Sequence, residues 1–276
     1  MKYKMRLKPL IIIFWLLSPS LTTASGKLVL RATGSQVAYT IINDQLADYN
    51  GDVIEVPDCS HDEFGPHITQ VFNKFLNRYV FRFHIHRDHD SDRCKKFDRQ
   101  RTEIKVYRKS PEWLRAIEGS QFKYRWKFKL DKLFQGSRHF THLHQIKAVG
   151  GSEASMPLIT LSARKGRRGK PDMFELNYAK NSKQRKMKLV KLGPFLGQWA
   201  EAIEQISFGE NGKYFIKIKS LKTGKQLFNY RNDSIRMWKN EADFLRPKWG
   251  IYRSLKDKEM LRDEMVDFAD VEIQSN

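Results

Sequence analysis

The sequence predicts an all-β fold, a sandwich or a barrel, on three observations. Apolar residues alternate with a period of two along many short segments, turn signals separate those segments, and helical periodicity is scarce. Residues 79–86 set Tyr79, Phe81, Phe83 and Ile85 against Val80, Arg82, His84 and His86. Gln121–Leu130 alternates more strictly, with Phe122, Tyr124, Trp126, Phe128 and Leu130 opposing Gln121, Lys123, Arg125, Lys127 and Lys129. Further strands are expected over 101–107, 139–148, 157–163, 173–178, 199–208, 213–220, 248–254 and 271–274. Glu210-Asn211-Gly212 and Lys222-Thr223-Gly224-Lys225 supply hairpin turns. Three short helical segments are expected. Residues 67–76 carry Ile68, Val71, Phe72, Phe75 and Leu76 on one stripe, Ser110-Pro111-Glu112 opens a single turn, and 256–265 is the third. The basic stretch 163–171 reads as an exposed loop.

The N-terminus has the layout of a secretory signal peptide. Lys2, Lys4, Arg6 and Lys8 precede an apolar run from Leu10 to Leu17, and small residues lead to cleavage after Ala24. The run is short for a bilayer span, and no later segment reaches about 18 apolar residues. The expected organisation is therefore a leader, 1–24, and one β domain, 25–276, exported or periplasmic and free of the membrane once the leader is removed.

The chain of 276 residues carries 51 Lys and Arg against 31 Asp and Glu, a net charge of +20. The leader holds four of those cations and no acid, so the domain keeps a charge of +16. Apolar residues at 40% and aromatics at 12% exclude a disordered basic tail. Such a surplus attracts polyanions, and export shifts the expected partner from nucleic acid to anionic polysaccharide. Export also permits a disulfide, for which Cys59 and Cys94 are the only pair. A bridge closing that loop would contribute roughly 3–4 kcal/mol.

Three strand segments bring chemistry to shared faces. Arg101, Glu103, Lys105 and Tyr107 alternate with Thr102, Ile104 and Val106; Gln145 shares a face with Lys147; Lys248, Gly250, Tyr252 and Ser254 oppose Trp249 and Ile251. Together they offer cations, an amide and a phenol, which suits an extended anionic chain.

These segments resemble, in matching chain order, the three motifs of jelly-roll polysaccharide lyases. Arg101-Thr102-Glu103-Ile104-Lys105 is similar to the arginine-Ser/Thr-glutamate strand of alginate lyases. Gln145-Ile146-Lys147 is similar to their glutamine-isoleucine-histidine motif, and Lys248-Trp249-Gly250-Ile251-Tyr252 to their C-terminal lysine-x-glycine-x-tyrosine strand. The longer strings 98–105 and 246–254 look closer to the glucuronan-lyase-like and heparin-lyase-like branch. The resemblance implies a concanavalin-like β-jelly-roll sandwich with a concave groove. It also implies β-elimination on a uronate polymer of glucuronan, heparin/heparan or alginate type.

It further implies roles. Gln145 and Arg101 neutralise the uronate carboxylate, Tyr252 acts as acid and, if cations lower its pKa, also as base, and Lys248, Lys105, Glu103, Lys147, His86 and Tyr107 line the substrate. Lys147 stands where alginate lyases have histidine. A histidine base must come from His84, His86, His142 or His144. Alternation puts His142 and His144 opposite Gln145, on the core side, and leaves His86 as the preferred one.

No cofactor is required, and no metal ligand is assigned. Asp88, Asp90 and Asp92 open like a calcium loop, but Arg93 and Arg99 occupy its glycine and closing glutamate positions. A structural calcium elsewhere stays open. The expected protein is a monomer that does not bind nucleic acid. A non-catalytic, lectin-like jelly roll for acidic polysaccharide is the competing reading.

Overall fold

The computed structural model describes residues 25–48 and 51–276, so the signal-peptide reading over 1–24 lies outside the described residues. The alternating segments pair as antiparallel strands. In chain order they are β1 (Gly26–Leu30), α1 (Ala38–Leu46), β2 (Ile54–Glu55), β3 (Ile68–Asn73), β4 (Arg78–Ile85), β5 (Arg99–Lys105), β6 (Gln121–Leu130) and β7 (Thr141–Val149). There follow β8 (Ile159–Arg164), β9 (Met173–Tyr178), β10 (Arg185–Lys191), β11 (Trp199–Ser207), β12 (Lys213–Ser220), β13 (Gln226–Asn232), β14 (Phe244–Ser254) and β15 (Glu264–Ser275).

One sheet has the order β13-β12-β11-β6-β15-β4-β3, with β1 added alongside β15; the other has the order β10-β9-β8-β7-β14-β5-β2. The inward faces of both sheets form one apolar core. Phe81, Phe83, Trp126, Phe128, Ile216 and Phe268 come from the first sheet, and Ile104, Ile146, Leu161, Phe174, Trp249 and Ile251 from the second. Trp126 and Trp249 meet across the sandwich with ring centroids 6.0 Å apart. Glu204 is enclosed between the sheets, where it pairs with His144 Nε2 at 2.9 Å and accepts from the Tyr214 hydroxyl at 2.7 Å. A buried carboxylate is tolerated when it is bonded in this way.

Two helical expectations are corrected. Residues 67–76 form β3 and the turn after it, paired with β4 from Ile68↔Phe83 to Asn73↔Arg78. Ile68, Thr69 and Val71 favour the pleated conformation, and the supposed apolar stripe is not buried, because Phe72 and Phe75 are exposed. The helix lies instead at α1, whose Ala38, Ile41, Ile42 and Leu46 pack into the core. Over 256–265 there is one 3₁₀ turn, Lys258–Met260, after which β15 begins. β15 then runs through the middle of its sheet, between β4 and β6, well beyond the expected 271–274.

Cys59 and Cys94 are joined by a disulfide, which ties the segment before β3 to the loop between β4 and β5.

Candidate active site

β5, β14 and β7 lie side by side, and their register decides which side chains meet. Lys248 pairs with Lys105 on one side and Gln145 on the other, Gly250 with Glu103, and Tyr252 with Arg101. All of these point away from the core, as alternation predicts.

Their environment differs from the expected row of free cations. Glu103 is fully buried; it accepts from Arg101 Nη1 and Lys248 Nζ, each at 2.6 Å, and from Gln145 Nε2. Glu55, on the edge strand β2, bonds Lys248, Arg101, Lys105 and Arg93. Asp92 holds Arg101 through Nε at 2.8 Å and Nη2 at 3.1 Å, and Asp52 reaches Lys105 Nζ at 3.0 Å. Arg93, Arg101, Lys105 and Lys248 are thus matched by Asp52, Glu55, Asp92 and Glu103, four charges against four. Desolvation works to raise Glu55 and Glu103, but Lys248 and Arg101 outweigh it and hold both carboxyls below their usual range. Such a network contributes little net stability, but it fixes positions, since losing one member strands a buried charge.

Arg101 is consequently not available as a free carboxylate receptor. Its N–H groups are taken by Asp92, Glu55 and Glu103, and its guanidinium carbon lies 3.7 Å from the centre of the Tyr252 ring. It supports the phenol from below. Glu55, Asp52 and Asp92 lie outside the three motifs, so the sequence offered no signal that they would neutralise the motif cations.

Two cations on the same face have no acidic partner among the described residues. Lys147 donates only to the Ser155 carbonyl at 3.0 Å, and Arg246, its register partner on β14, reaches only the Val106 carbonyl at 3.5 Å. Arg246 sits over the Tyr107 ring at 4.4 Å, and Lys105 approaches the same ring at 4.3 Å. Burial, with Lys248, Arg101 and Arg246 nearby, lowers Lys147 to about 8, with Glu103 opposing. Arg246 was absent from the residues singled out in the sequence.

Tyr252 accepts a hydrogen bond from Arg99 Nη1 at 3.0 Å, so its own hydroxyl proton has no protein acceptor among the described residues. Burial raises its pKa, and Arg101 and Arg99 only partly offset this. The raised pKa favours the protonated phenol expected of an acid, and the condition for a second role as base, a pKa lowered by cations, is not met.

The histidines are redistributed. His144 faces the core, its ring tilted against those of Trp126 and Trp249. His142 does not follow it. A bulge between His142 and His144, opposite one between Trp249 and Tyr252, shifts the register, so that His142 pairs with Tyr252 and Ser162 on the outer face. Its ring centroid is 5.9 Å from that of Tyr252, and Nδ1 is 2.7 Å from Ser162 Oγ. Burial lowers its pKa to about 3, helped by Arg164, Arg101 and Lys248 and opposed by Glu103. The expectation for His142 failed because strict alternation assumes an unbroken ladder. His86, the preferred histidine, lies instead beyond the end of β4 in the other sheet, with His61, His67 and Asp90.

Gly250 makes the bulge possible. Its φ is +146°, and a Cβ there would lie 2.1 Å from the Thr102 carbonyl oxygen and 2.7 Å from Glu103 Cα. Gly250→Ala should cost roughly 2–4 kcal/mol of stability by backbone strain and overpacking. A urea titration of the purified variant checks this, and an unchanged midpoint would mean that the backbone tolerates the side chain.

No protein-family model matches the sequence, and no curated protein matches it. Solved structures do match its fold. An endo-β-1,4-glucuronan lyase from the fungus Trichoderma reesei aligns with a TM-score of 0.56 at 14% identity, over 82% of this chain and 92% of that one. A marine alginate lyase of family 14 from Aplysia kurodai gives 0.57 at 12% identity, over 90% and 97%. A family 7 alginate lyase in complex with substrate (GGMG) gives 0.54 at 11% identity, over 91% and 92%. The chain therefore has the two-sheet jelly-roll architecture of these polysaccharide lyases.

Proposed function

We propose that the protein is an exported polysaccharide lyase that cleaves a uronate-containing polymer by β-elimination. The observation that carries this reading is the pairing of Tyr252 with His142 on neighbouring strands. One is a protonated phenol and the other a neutral imidazole, and the unmatched cations Lys147 and Arg246 lie on the same face, five and six residues further along β7 and β14. The fold shared with glucuronan and alginate lyases supports the same reaction class, as does the leader-like N-terminus with the Cys59–Cys94 bridge for export.

Elimination removes the proton at C5 of a uronate, moves charge toward its carboxylate and expels the O4-linked sugar. The remaining amide capacity of Gln145 meets the carboxylate of the reacting sugar, so that the developing charge is stabilised, while Lys147 and Arg246, further along the same strands, hold carboxylates elsewhere on the bound polymer. With Nδ1–H donated to Ser162, His142 keeps a lone pair on Nε2, which takes the C5 proton. The Tyr252 hydroxyl gives its proton to the departing O4. Arg99 and Arg101 then stabilise the phenolate that remains.

Incubation with glucuronan, heparin, heparan sulfate and alginate tests the reaction. The ultraviolet absorbance of an unsaturated uronate should appear with at least one polymer. Binding to all four without that chromophore would favour the lectin-like alternative.

The pH dependence follows from Lys147. Its charge is present below about 8 and is lost as pH rises through that value, so kcat/KM should fall on the alkaline side near there. Lys147→Arg should move this limb upward, because guanidinium keeps its charge. A limb that stays in place would assign it to another group.

A further inference from the structure

Away from Tyr252, three imidazoles and one carboxylate converge. His61 Nδ1 and His67 Nε2 lie 3.1 and 3.0 Å from the same oxygen of Asp90, and His86 Nδ1 lies 3.4 Å from the other oxygen. The four donor atoms are all within 4.8 Å of one another. His67 and Asp90 are buried, and His86 Nδ1 is buried without any hydrogen-bond partner.

The tautomers expose a conflict. His67 Nδ1 is 2.7 Å from Asp58, a carboxylate that only accepts, so Nδ1 must carry the hydrogen. In the neutral ring Nε2 is then a lone pair facing the lone pairs of Asp90. A second proton on His67 would answer that single contact. It leaves the unpartnered Nδ1 of His86 unanswered. A cation at the centre answers all four donors together.

We infer that His61, His67, His86 and Asp90 bind a divalent transition metal, Zn²⁺ by donor set, in a closed structural site. Three nitrogens and one carboxylate oxygen suit zinc, whereas calcium takes six to eight oxygens. Bonds of about 2.1 Å in a tetrahedron place donors roughly 3.4 Å apart, close to the spacings about Asp90. The surrounding groups are those of a metal histidine. Asp58 orients His67 and is itself held by the Tyr39 hydroxyl at 2.8 Å, the carboxylate–histidine–metal arrangement. The His86 backbone N–H donates to Asp90 at 2.6 Å, and the Phe64 ring covers the cluster, 4.2 Å from that of His86.

The site clamps three segments: the short turns before β3, the end of β4 and the loop that follows. That loop carries Asp92, which holds Arg101 beneath Tyr252. The metal is therefore a positioning element for the neighbouring face. The inference does not depend on the lyase reading, because its ligands and its test are separate from it.

The mature protein, purified without chelator, should contain about one zinc per chain by elemental mass spectrometry. Stripping with 1,10-phenanthroline should lower Tm, and Zn²⁺ at a hundredfold excess over its Kd should restore it by about 5–10 °C. Ca²⁺ should not. Co²⁺ should give the visible spectrum of a tetrahedral nitrogen–oxygen site. His86→Ala should lose the metal, and His84→Asn, altering a neighbouring ring bonded to Thr69, should keep it. Should His86→Ala fail to fold, the stripping and refilling series on the unaltered protein decides the matter. No bound metal and no Tm response to Zn²⁺ would overturn the site.

Discussion

Tyr252→Phe should reduce the rate of unsaturated-product formation by about 10²–10⁴-fold, the usual contribution of a positioned acid, while the fold and polymer binding persist. The change removes one oxygen and its proton. The ring would still pack between Phe140, whose centroid is 5.0 Å away, and the Arg101 guanidinium at 3.7 Å. The lost bond from Arg99 is at the rim, and Arg99 keeps Asp98 at 2.6 Å. Stability should therefore change little, and an affinity measurement on the unreacted polymer separates binding from chemistry. Because burial raises the phenol above its ordinary value, loss of its proton should limit activity only in strongly alkaline solution. Retention of more than a tenth of the rate in the phenylalanine variant would remove Tyr252 from the proton-transfer step.

His142→Ala should produce a loss of similar size, again about 10²–10⁴-fold, in kcat more than in KM. A neutral imidazole accepts a proton, and its conjugate acid, at about 3 in the free protein, ionises far below neutrality. The acidic limb of kcat/KM should thus lie well below the ordinary histidine value, in a range where substrate carboxylates also begin to protonate. Ser162→Ala should act in the same direction but more weakly, because it frees the ring to turn without removing the nitrogen; His142→Gln should not rescue. If His142→Ala retains activity within tenfold while Tyr252→Phe does not, the phenol alone performs both proton transfers.

The two variants differ in how far the sequence led to them. Tyr252 could be named from its motif and from the alternation of β14 alone. His142 could not, because its direction depends on a bulge shared by β7 and β14, and such an irregularity has no local signature beyond Gly250. The same limit applies to Arg101. Its strand and face were legible, but its pairing with Asp92, Glu55 and Glu103 depends on segments 9 and 46 residues away as well as on its own strand. His86 was placed by extending a strand face past the strand's end, where the chain leaves the sheet and turns to Asp90.

The fold class was legible because burial on one face forces a period of two, which survives in the sequence of each strand whatever its neighbours. Phe122 to Leu130 and Trp249 with Ile251 were assigned to the core on that ground, and they lie there. Residues 67–76 were not legible, since one short run of Ile, Val and Phe fits both periods and only pairing with β4 decides between them.

What the sequence determined by itself is the local part: strands, their outward and inward sets, the cationic surplus and the cysteine pair that could close a bridge. What tertiary structure decided is the company each charge keeps. Acids from β2 and the residues just before it, from β5 and from the β4–β5 loop neutralise four of the cations, a bulge turns one histidine outward, and three other histidines meet across segments joined by Cys59–Cys94. The physical reason is range. Alternation acts between residues two apart, whereas charge pairing and metal ligation act between any groups the fold brings within a few ångströms.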